Sequence, residues 1–339
     1  MSSPTADQIT AMLAGAPVMA RVDRSGFVES VHRALACVTT AEGAVQAAWG
    51  EPDAVIYPRS SNKPLQALAM VGAGLDLPPQ LLALVCSSHS GERFHLEGVR
   101  SILERHGLSV EDLQNTPDLP YDDVDRRQWL REGREPESLA QNCSGKHAGM
   151  LATCVVNGWD TTTYRDVDHP LQRLMATTLE QIADDTVEAT GVDGCGAPVM
   201  TLSMAGLARA FGRLAAAAPG NAEARVADAM RAAPRYLGGT RRDVTKLVEG
   251  VDGLIAKDGA EAVYAIGLAD GRGVSVKIAD GSQRARPVVA AAILRAMGVD
   301  APALDDLASA PILGHGEPVG AVTAVLPEPT TGSLAAAHR

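Results

Sequence analysis

Between Pro17 and Tyr57 the chain runs in short β-rich segments, VMARVDR, ESVHRALACVTT, AVQAAWG and DAVIYP, separated by Gly, Ser and Glu-Gly punctuation. This pattern predicts an antiparallel meander. From Lys63 to about Glu249 the period changes, and apolar residues recur at i, i+3 and i+4 in LQALAMVGAG, FHLEGVRSILERHG, HAGMLATCVVNG, HPLQRLMATTLEQIADD, MAGLARAFGRLAAAA and NAEARVADAMRAA. Each of these segments reads as an amphipathic helix. Ser90 and Asp168 are placed to start two of them, and Gly107 and Gly158 to stop two others. After Gly259 the strand signal returns as EAVYAIGLAD and VSVKIADG around a Gly271-Arg272-Gly273 turn, a hairpin pattern, and Pro287 then opens a last apolar helix, VVAAAILRAMG. The Pro- and Thr-containing tail after Leu326 reads as frayed. Strands at both ends with helices between predict one two-lobed α/β (α+β) domain. A sheet lobe is expected over about 15–60 and 250–325, with an all-helical lobe inserted over about 61–249 and a cleft between them.

Composition narrows the function classes. The 339 residues carry 30 Lys and Arg against 41 Asp and Glu, a net charge of −11, so no chain-wide basic field exists to displace phosphate counterions, and nucleic acid is not an expected partner. Aromatic residues make up only 3% of the chain, which leaves few rings for stacking bases or sugars. The first basic residue, Arg21, follows the apolar stretch Met12 to Ala20, the reverse of a secretory signal. The longest apolar stretches, Leu81 to Cys86 and Pro287 to Leu294, fall far short of the roughly 20 residues that span a bilayer, so no membrane association is expected. Five cysteines without paired spacing fit free or metal-bound thiols in a reducing cytoplasm.

Four segments carry chemistry. In Tyr57-Pro-Arg-Ser-Ser-Asn-Lys-Pro, at a strand-to-helix junction, Ser60 and Lys63 stand three apart and share a helical face. A buried lysine of lowered pKa can take the serine proton and make it a nucleophile, although the S-x-x-K pattern also arises from a solvated Ser and a surface Lys. In Cys86-Ser-Ser-His-Ser-Gly-Glu, Ser90 reads as an N-cap, whereas Ser87, Ser88 and His89 together read as groups donating into a site. In Gln141-Asn-Cys-Ser-Gly-Lys-His-Ala-Gly and Val192-Asp-Gly-Cys-Gly-Ala-Pro, Cys143 and Cys195 sit in Gly-containing loops. Lys146 and His147 lie one helical turn from Cys143, a setting suited to a soft metal such as zinc. Cys37, Cys86 and Cys154 read as packing residues. Lys277, central in VSVKIADG, is either an edge residue facing solvent or a sheet-borne cation aimed at a site. Its rival Lys257, in Ala-Lys-Asp-Gly, reads as a surface turn residue. The chain has no G-x-S-x-G elbow, H-E-x-x-H, P-loop or dinucleotide fingerprint. Gly238-Gly239-Thr240 is only superficially like the threonine amidohydrolases, because a helical RRDVTKLVEG segment follows it.

With YPRSSNKP, CSSHSGE, NCSGKHAGML, GVDGCGAP and GVSVKIADG in this order from about Pro17 to Gly298, the chain resembles the rhizobial-type (class 3, asparaginase II) L-asparaginases. The resemblance implies a serine β-lactamase or penicillin-binding-protein-like fold, a homodimer, and hydrolysis of L-asparagine to L-aspartate and ammonia. It also implies two Ser-Lys pairs, Ser60 with Lys63 and Ser88 with Lys277, and a zinc ion held by Cys143, Lys146, Cys195 and water, with Asp193 beside the metal. Arg59, His89, Asn142 and His147 join Asp193 as expected substrate-binding or supporting residues. An ammonium has no lone pair, so Lys146 can ligate only when deprotonated. Lys277 is followed by Ile-Ala-Asp-Gly rather than completing a K-T-G, so β-lactam substrates are not expected. The alternatives are a glutaminase or other acyl-serine amidohydrolase of the same fold, and a non-catalytic zinc or amino-acid binding protein.

Overall fold

The computed structural model describes residues 5–334. Its strands are β1 (Val18–Arg24), β2 (Phe27–Thr39), β3 (Val45–Trp49), β4 (Val55–Ile56), β5 (Thr190–Val192), β6 (Pro198–Met200), β7 (Leu202–Ser203), β8 (Ile255–Gly259), β9 (Val263–Gly267), β10 (Gly273–Ile278), β11 (Ser309–Gly314), β12 (Glu317–Ala324) and β13 (Thr331–Gly332). The chain divides into two compact units. Of the described residues, one comprises those up to Ser61, Thr201–Ala216 and those from Gly250; the other comprises Asn62–Met200 and Ala217–Glu249.

The first unit is built on an antiparallel sheet in the order β11-β12-β1-β2-β10-β9-β8, with β3 pairing both β2 and β13. Strands from both ends of the chain therefore share one sheet, as the alternating pattern predicts. The 13-residue β2 is its spine, since its first half pairs β1 and its second half pairs β3 and β10. β4 does not join the sheet and pairs β7 instead. Up to residue 334 the stretch after Leu326 is not frayed, and the rest of that tail lies outside the described residues: Thr331 and Gly332 pair Ala48 and Ala47, and the Thr330 hydroxyl donates to the Ala48 carbonyl at 3.0 Å, because β3 otherwise offers an open edge. The β11–β12 hairpin adds strands that the sequence reading leaves out.

The helix Met204–Ala215 belongs with this sheet rather than with the helical lobe expected over 61–249. Its placement depends on glycine. Cβ atoms on Gly267 and Gly273 would strike the backbone of Phe211 and Ala208, so only bare strands admit the helix at this distance.

The second unit is helical except for the short β5–β6 hairpin, so it is not all-helical as expected. Its helices Lys63–Gly72, Pro79–Val85, Arg93–Glu104, Ser144–Asn157 and Pro170–Ala183 bury Ala, Leu, Met and Val at the predicted spacing. Gly158, at φ +65°, ends the Ser144–Asn157 helix in the left-handed conformation that favours glycine. The starts differ from the sequence reading. Ser90 does not cap its helix, whose N-cap is Glu92, and its hydroxyl donates to the Gly238 carbonyl at 3.0 Å. His169, not Asp168, caps the Pro170–Ala183 helix.

Candidate active site

The helix Ser144–Asn157 lies against the end of the helix Pro79–Val85 because Gly145 and Gly149 present no side chain there. A Cβ on Gly145 would press on the Leu84 carbonyl, and one on Gly149 would meet both Val85 methyls at 2.7 and 2.8 Å. This approach sets the loop Cys86–Ser90 beside the start of the second helix, where the His89 amide donates to the Asn142 carbonyl at 3.1 Å. Lys63, the first residue of its helix and only 1% exposed, completes the junction. Its ammonium donates to the Ser87 carbonyl at 2.5 Å, the Ser88 hydroxyl at 3.1 Å and the Cys143 sulfur at 3.2 Å. The structure thus brings Lys63 to Ser88, whereas the sequence reading joined Lys63 to Ser60 and Ser88 to Lys277.

A second buried lysine stands on the next turn of chemistry. Lys146 donates to the Cys195 sulfur at 3.2 Å, as Lys63 does to the Cys143 sulfur. The two thiols differ in acidity. Cys195, reinforced by burial, pushes the Cys143 thiol up to about 12. Cys143 in turn, aided by the Lys146 charge and opposed by burial, brings Cys195 down to about 5. Burial alone would lower Lys146, but Cys195, Cys143 and Asp193 hold its charge and raise it instead. The Lys146 charge and the lowered Cys195 thiol therefore favour each other across their buried 3.2 Å contact.

The residues around this core are fixed in turn. Asn142 Oδ1 lies 3.2 Å from the Cys143 sulfur. The Ser144 hydroxyl donates to the Leu139 carbonyl at 2.8 Å, so His89 Nε2, also 2.8 Å away, is the donor to it. Burial first, and then the His95, Lys63 and Arg242 charges, keep His89 neutral, with its Nδ1 lacking a partner. His147 Nδ1 meets the Tyr164 hydroxyl at 2.6 Å, that hydroxyl also accepts the Gln114 amide, and burial followed by the Lys146 charge keeps His147 neutral. Its Nε2 and the Ser87 hydroxyl are further buried polar atoms without partners. Asp193 is half-buried at the β5–β6 turn, where its carboxylate accepts the Gly194 amide at 2.9 Å.

The remaining expected residues belong to the sheet unit. Arg59 and Ser60 are half-buried on the turn Arg59–Asn62, with Arg59 at φ +53°, a conformation costly for a side-chain-bearing residue. The Ser61 hydroxyl ties this turn to the Pro58 carbonyl at 2.7 Å, and Gly259 at the end of β8 leaves room for it. Lys277 is half-buried on β10, its ammonium donating to the Glu261 and Ile278 carbonyls at 2.8 and 2.6 Å; burial lowers its pKa. Lys257 is not a surface turn residue. It lies within β8, 0% exposed, and binds the Asp258 carboxylate at 2.6 Å. The sequence signal was available, because Ile255 and Ala256 before it read as strand, but the Asp-Gly that follows imitates a turn.

Among the described residues no three His, Cys, Asp or Glu side chains gather where they could hold a metal. The donor set nonetheless suits a soft divalent ion, with the buried sulfurs of Cys143 and Cys195 and the Lys146 nitrogen 3.2 Å from the latter, provided Lys146 gives up its proton.

The site thus sets a buried Ser-Lys contact beside a thiol-lysine contact, in a mixed fold with an antiparallel sheet and many helices. The sequence matches the family model of L-asparaginase II over residues 20–324, and the chain belongs to that family of amidohydrolases, which act on a small-molecule substrate. No curated protein matches the chain. Among solved structures, a β-lactamase (Mb2281c) from Mycobacterium bovis is 15% identical with a TM-score of 0.45, over 85% of this chain and 98% of its own. The native form of Mglu is 13% identical with a TM-score of 0.42, over 84% and 69%. EstCE1, a hydrolase with promiscuous acyltransferase activity, is 13% identical with a TM-score of 0.36, over 82% and 97%. No helix among the described residues is long and apolar enough to cross a membrane.

Proposed function

We propose that the chain hydrolyses the side-chain amide of L-asparagine, releasing L-aspartate and ammonia through an acyl-serine intermediate. The observation that carries this reading is the 3.1 Å contact between the buried Lys63 ammonium and the Ser88 hydroxyl in a member of the L-asparaginase II family. Two serines compete for the attack. Ser88 is 4% exposed and already engaged by Lys63, which suits passage of a proton, whereas Ser60 is half-exposed one turn before Lys63 and is open to a substrate. Ser60 is therefore the proposed nucleophile. In its neutral amine form Lys63 takes its proton, backbone N–H groups hold the developing oxyanion, a lysine protonates departing ammonia, and water resolves the ester. For the second lysine, Lys277 is the candidate from the resemblance and Lys257 the one that burial favours.

When zinc is bound, Cys143, Lys146 and Cys195 would hold it, and its fixed positive charge serves to orient the substrate carboxylate or amine rather than to make hydroxide. Asn142, His89 and His147 support these side chains, with Asp193 and Arg59 as charged neighbours of the substrate. A reducing compartment such as the cytoplasm fits five free cysteines, and the homodimer implied by the resemblance is checked by light scattering.

Ammonia release from L-asparagine by the purified protein, compared with release from L-glutamine, tests the assignment. Ser60→Ala and Ser88→Ala are each expected to lose at least about a hundredfold in kcat. Wild-type turnover in Ser60→Ala removes it as nucleophile, and binding of asparagine without ammonia release leaves a binding protein.

A further inference from the structure

Two neighbouring arginines follow Gly238-Gly239-Thr240, a segment the amidohydrolase reading leaves unassigned, and they hold different partners. Arg241 binds the Asp122 carboxylate at 3.0 and 2.7 Å and the Asp125 carboxylate at 2.6 Å, with its side chain 45% exposed. Arg242 is half-buried. Its Nη1 donates to the Ser88 carbonyl at 3.2 Å, and its guanidinium lies 4.5 Å over the Tyr121 ring. The glycines bring both arginines to this place. Gly239, at φ +138°, lies where a Cβ would fall on the Ser90 side chain and the Glu92 carboxylate, and the Gly238 carbonyl accepts the Ser90 amide and hydroxyl at 2.9 and 3.0 Å. The Thr240 amide and hydroxyl both donate to Glu92, at 2.7 and 2.9 Å, so Thr240 is tied down as an anchor.

Residues 87–92 have no regular secondary structure, so their buried backbone groups find partners outside the loop. The Ser87 carbonyl takes the Lys63 ammonium, the His89 amide takes the Asn142 carbonyl, and the Ser90 carbonyl takes the Asp122 amide at 3.0 Å. The Ser88 carbonyl takes Arg242. Ser88 C=O and His89 N–H belong to one planar peptide, which is therefore held at both ends, by a cation on one side and a carbonyl on the other. Fixing that plane fixes the backbone torsion of Ser88. With the Ser87 carbonyl pinned by Lys63, it also sets the direction in which the Ser88 Cβ carries the hydroxyl to its 3.1 Å contact with Lys63. We propose that Arg242 is a positioning residue that holds the Ser88 peptide, and through it the Ser88 hydroxyl, against Lys63, with Tyr121 as the platform for its guanidinium. The consequence for turnover rests on the amidohydrolase reading; the hold itself does not.

The test compares the full-length wild type with Arg242→Ala, Arg242→Lys, Tyr121→Ala and Arg241→Gln by hydrogen–deuterium exchange and by ammonia release from L-asparagine. In Arg242→Ala the amides of residues 87–92 should exchange faster, while those of the helix Ser144–Asn157 keep the wild-type rate. Its kcat should fall about tenfold to a hundredfold with KM within about twofold, and non-denaturing guanidinium or Arg242→Lys should restore part of the loss. Tyr121→Ala should show smaller changes of the same kind, and it carries the comparison if Arg242→Ala folds poorly. Arg241→Gln breaks the surface pairs and should lower the melting temperature with kcat unchanged. Unchanged exchange at residues 87–92 in both Arg242→Ala and Tyr121→Ala overturns the proposal. So does a kcat loss that follows only the folded fraction, resists guanidinium and is matched by Arg241→Gln. A wild type that releases no ammonia refutes the amidohydrolase reading alone, because exchange still decides the hold.

Discussion

Replacing Gly145 with alanine asks whether close helix contact is what assembles the site. The added methyl would sit 2.9 Å from Leu84 Cγ and 3.0 Å from the Leu84 carbonyl carbon, with the carbonyl oxygen nearer still. Ordinary carbon contacts lie at about 3.5–4.0 Å, so the Ser144–Asn157 helix must retreat by at least about 0.5 Å. The obstacle is backbone, which cannot rotate away. A shift of that size lengthens the 3.2 Å contact between Lys63 and the Cys143 sulfur to as much as about 3.7 Å, weakening it, and loosens the Asn142 carbonyl that holds the His89 amide. Overpacking of this kind costs about 1–3 kcal/mol, and the better helix propensity of alanine returns at most about 1 kcal/mol. Melting followed by circular dichroism should therefore drop by a few degrees. Ammonia release should fall more than the melting temperature alone explains, because the displaced atoms belong to the site. Gly149→Ala is the comparison, since its methyl meets the Val85 side chain and the Met70 sulfur, which can move, and it should retain more activity. A Gly145→Ala protein with wild-type melting and turnover would refute the reasoning.

Lys257→Met leaves Asp258 buried with the Arg286 guanidinium 3.8 Å away and should cost about 3–5 kcal/mol by urea unfolding, against about 1 kcal/mol for Lys277→Met; equal losses would deny the burial contrast. Burial lowers His95 from 6.5 to about 4, so the unfolded chain binds the extra proton first. Its share of stability is complete above about pH 6.5 and drains as pH falls toward 4, up to about 3 kcal/mol, and His95→Gln should flatten that part of the stability-pH curve. Asp122 is held near 2 chiefly by Arg241, which donates to it at 2.7 Å, so its contribution is present above 3.8 and disappears between 3.8 and 2; an Arg241→Gln protein with unchanged acid unfolding in that window would contradict it. Zinc retained after dialysis should fall as pH drops through about 5, where Cys195 regains its proton, and retention unaffected by acid would remove Cys143, Lys146 and Cys195 as its ligands.

What was readable in the sequence divides along a physical line. Local periodicity marks the helices around Leu65, Ile102, Met150 and Leu179 because each buries one face, and it marks β1, β2, β9 and β10 because alternation or an unbroken apolar run survives in any single strand. Residue type and motif order also singled out Ser88, His89, Cys143, Lys146 and Cys195 as chemistry; Lys63 contacts Ser88 and Cys143, Lys146 contacts Cys195, and His89 contacts Ser144. The Lys63–Ser88 contact was not readable, because it depends on how the loop Cys86–Ser90 is held, and Gly145 and Gly149 set the helix approach beside that loop through atoms they lack. The assignment of Met204–Ala215 failed for a related reason, since its own apolar face fits either unit and the choice lies in Gly267 and Gly273 on distant strands. Lys257 shows the converse. Its Asp-Gly neighbours carry a strong local turn signal, yet Gly259 is needed where β8 passes the Pro58 carbonyl, and the aspartate is needed to pair a lysine the strand has buried. A polar dipeptide that looks like solvent punctuation can be the inside of a sheet when its glycine answers to a close contact and its acid to a charge.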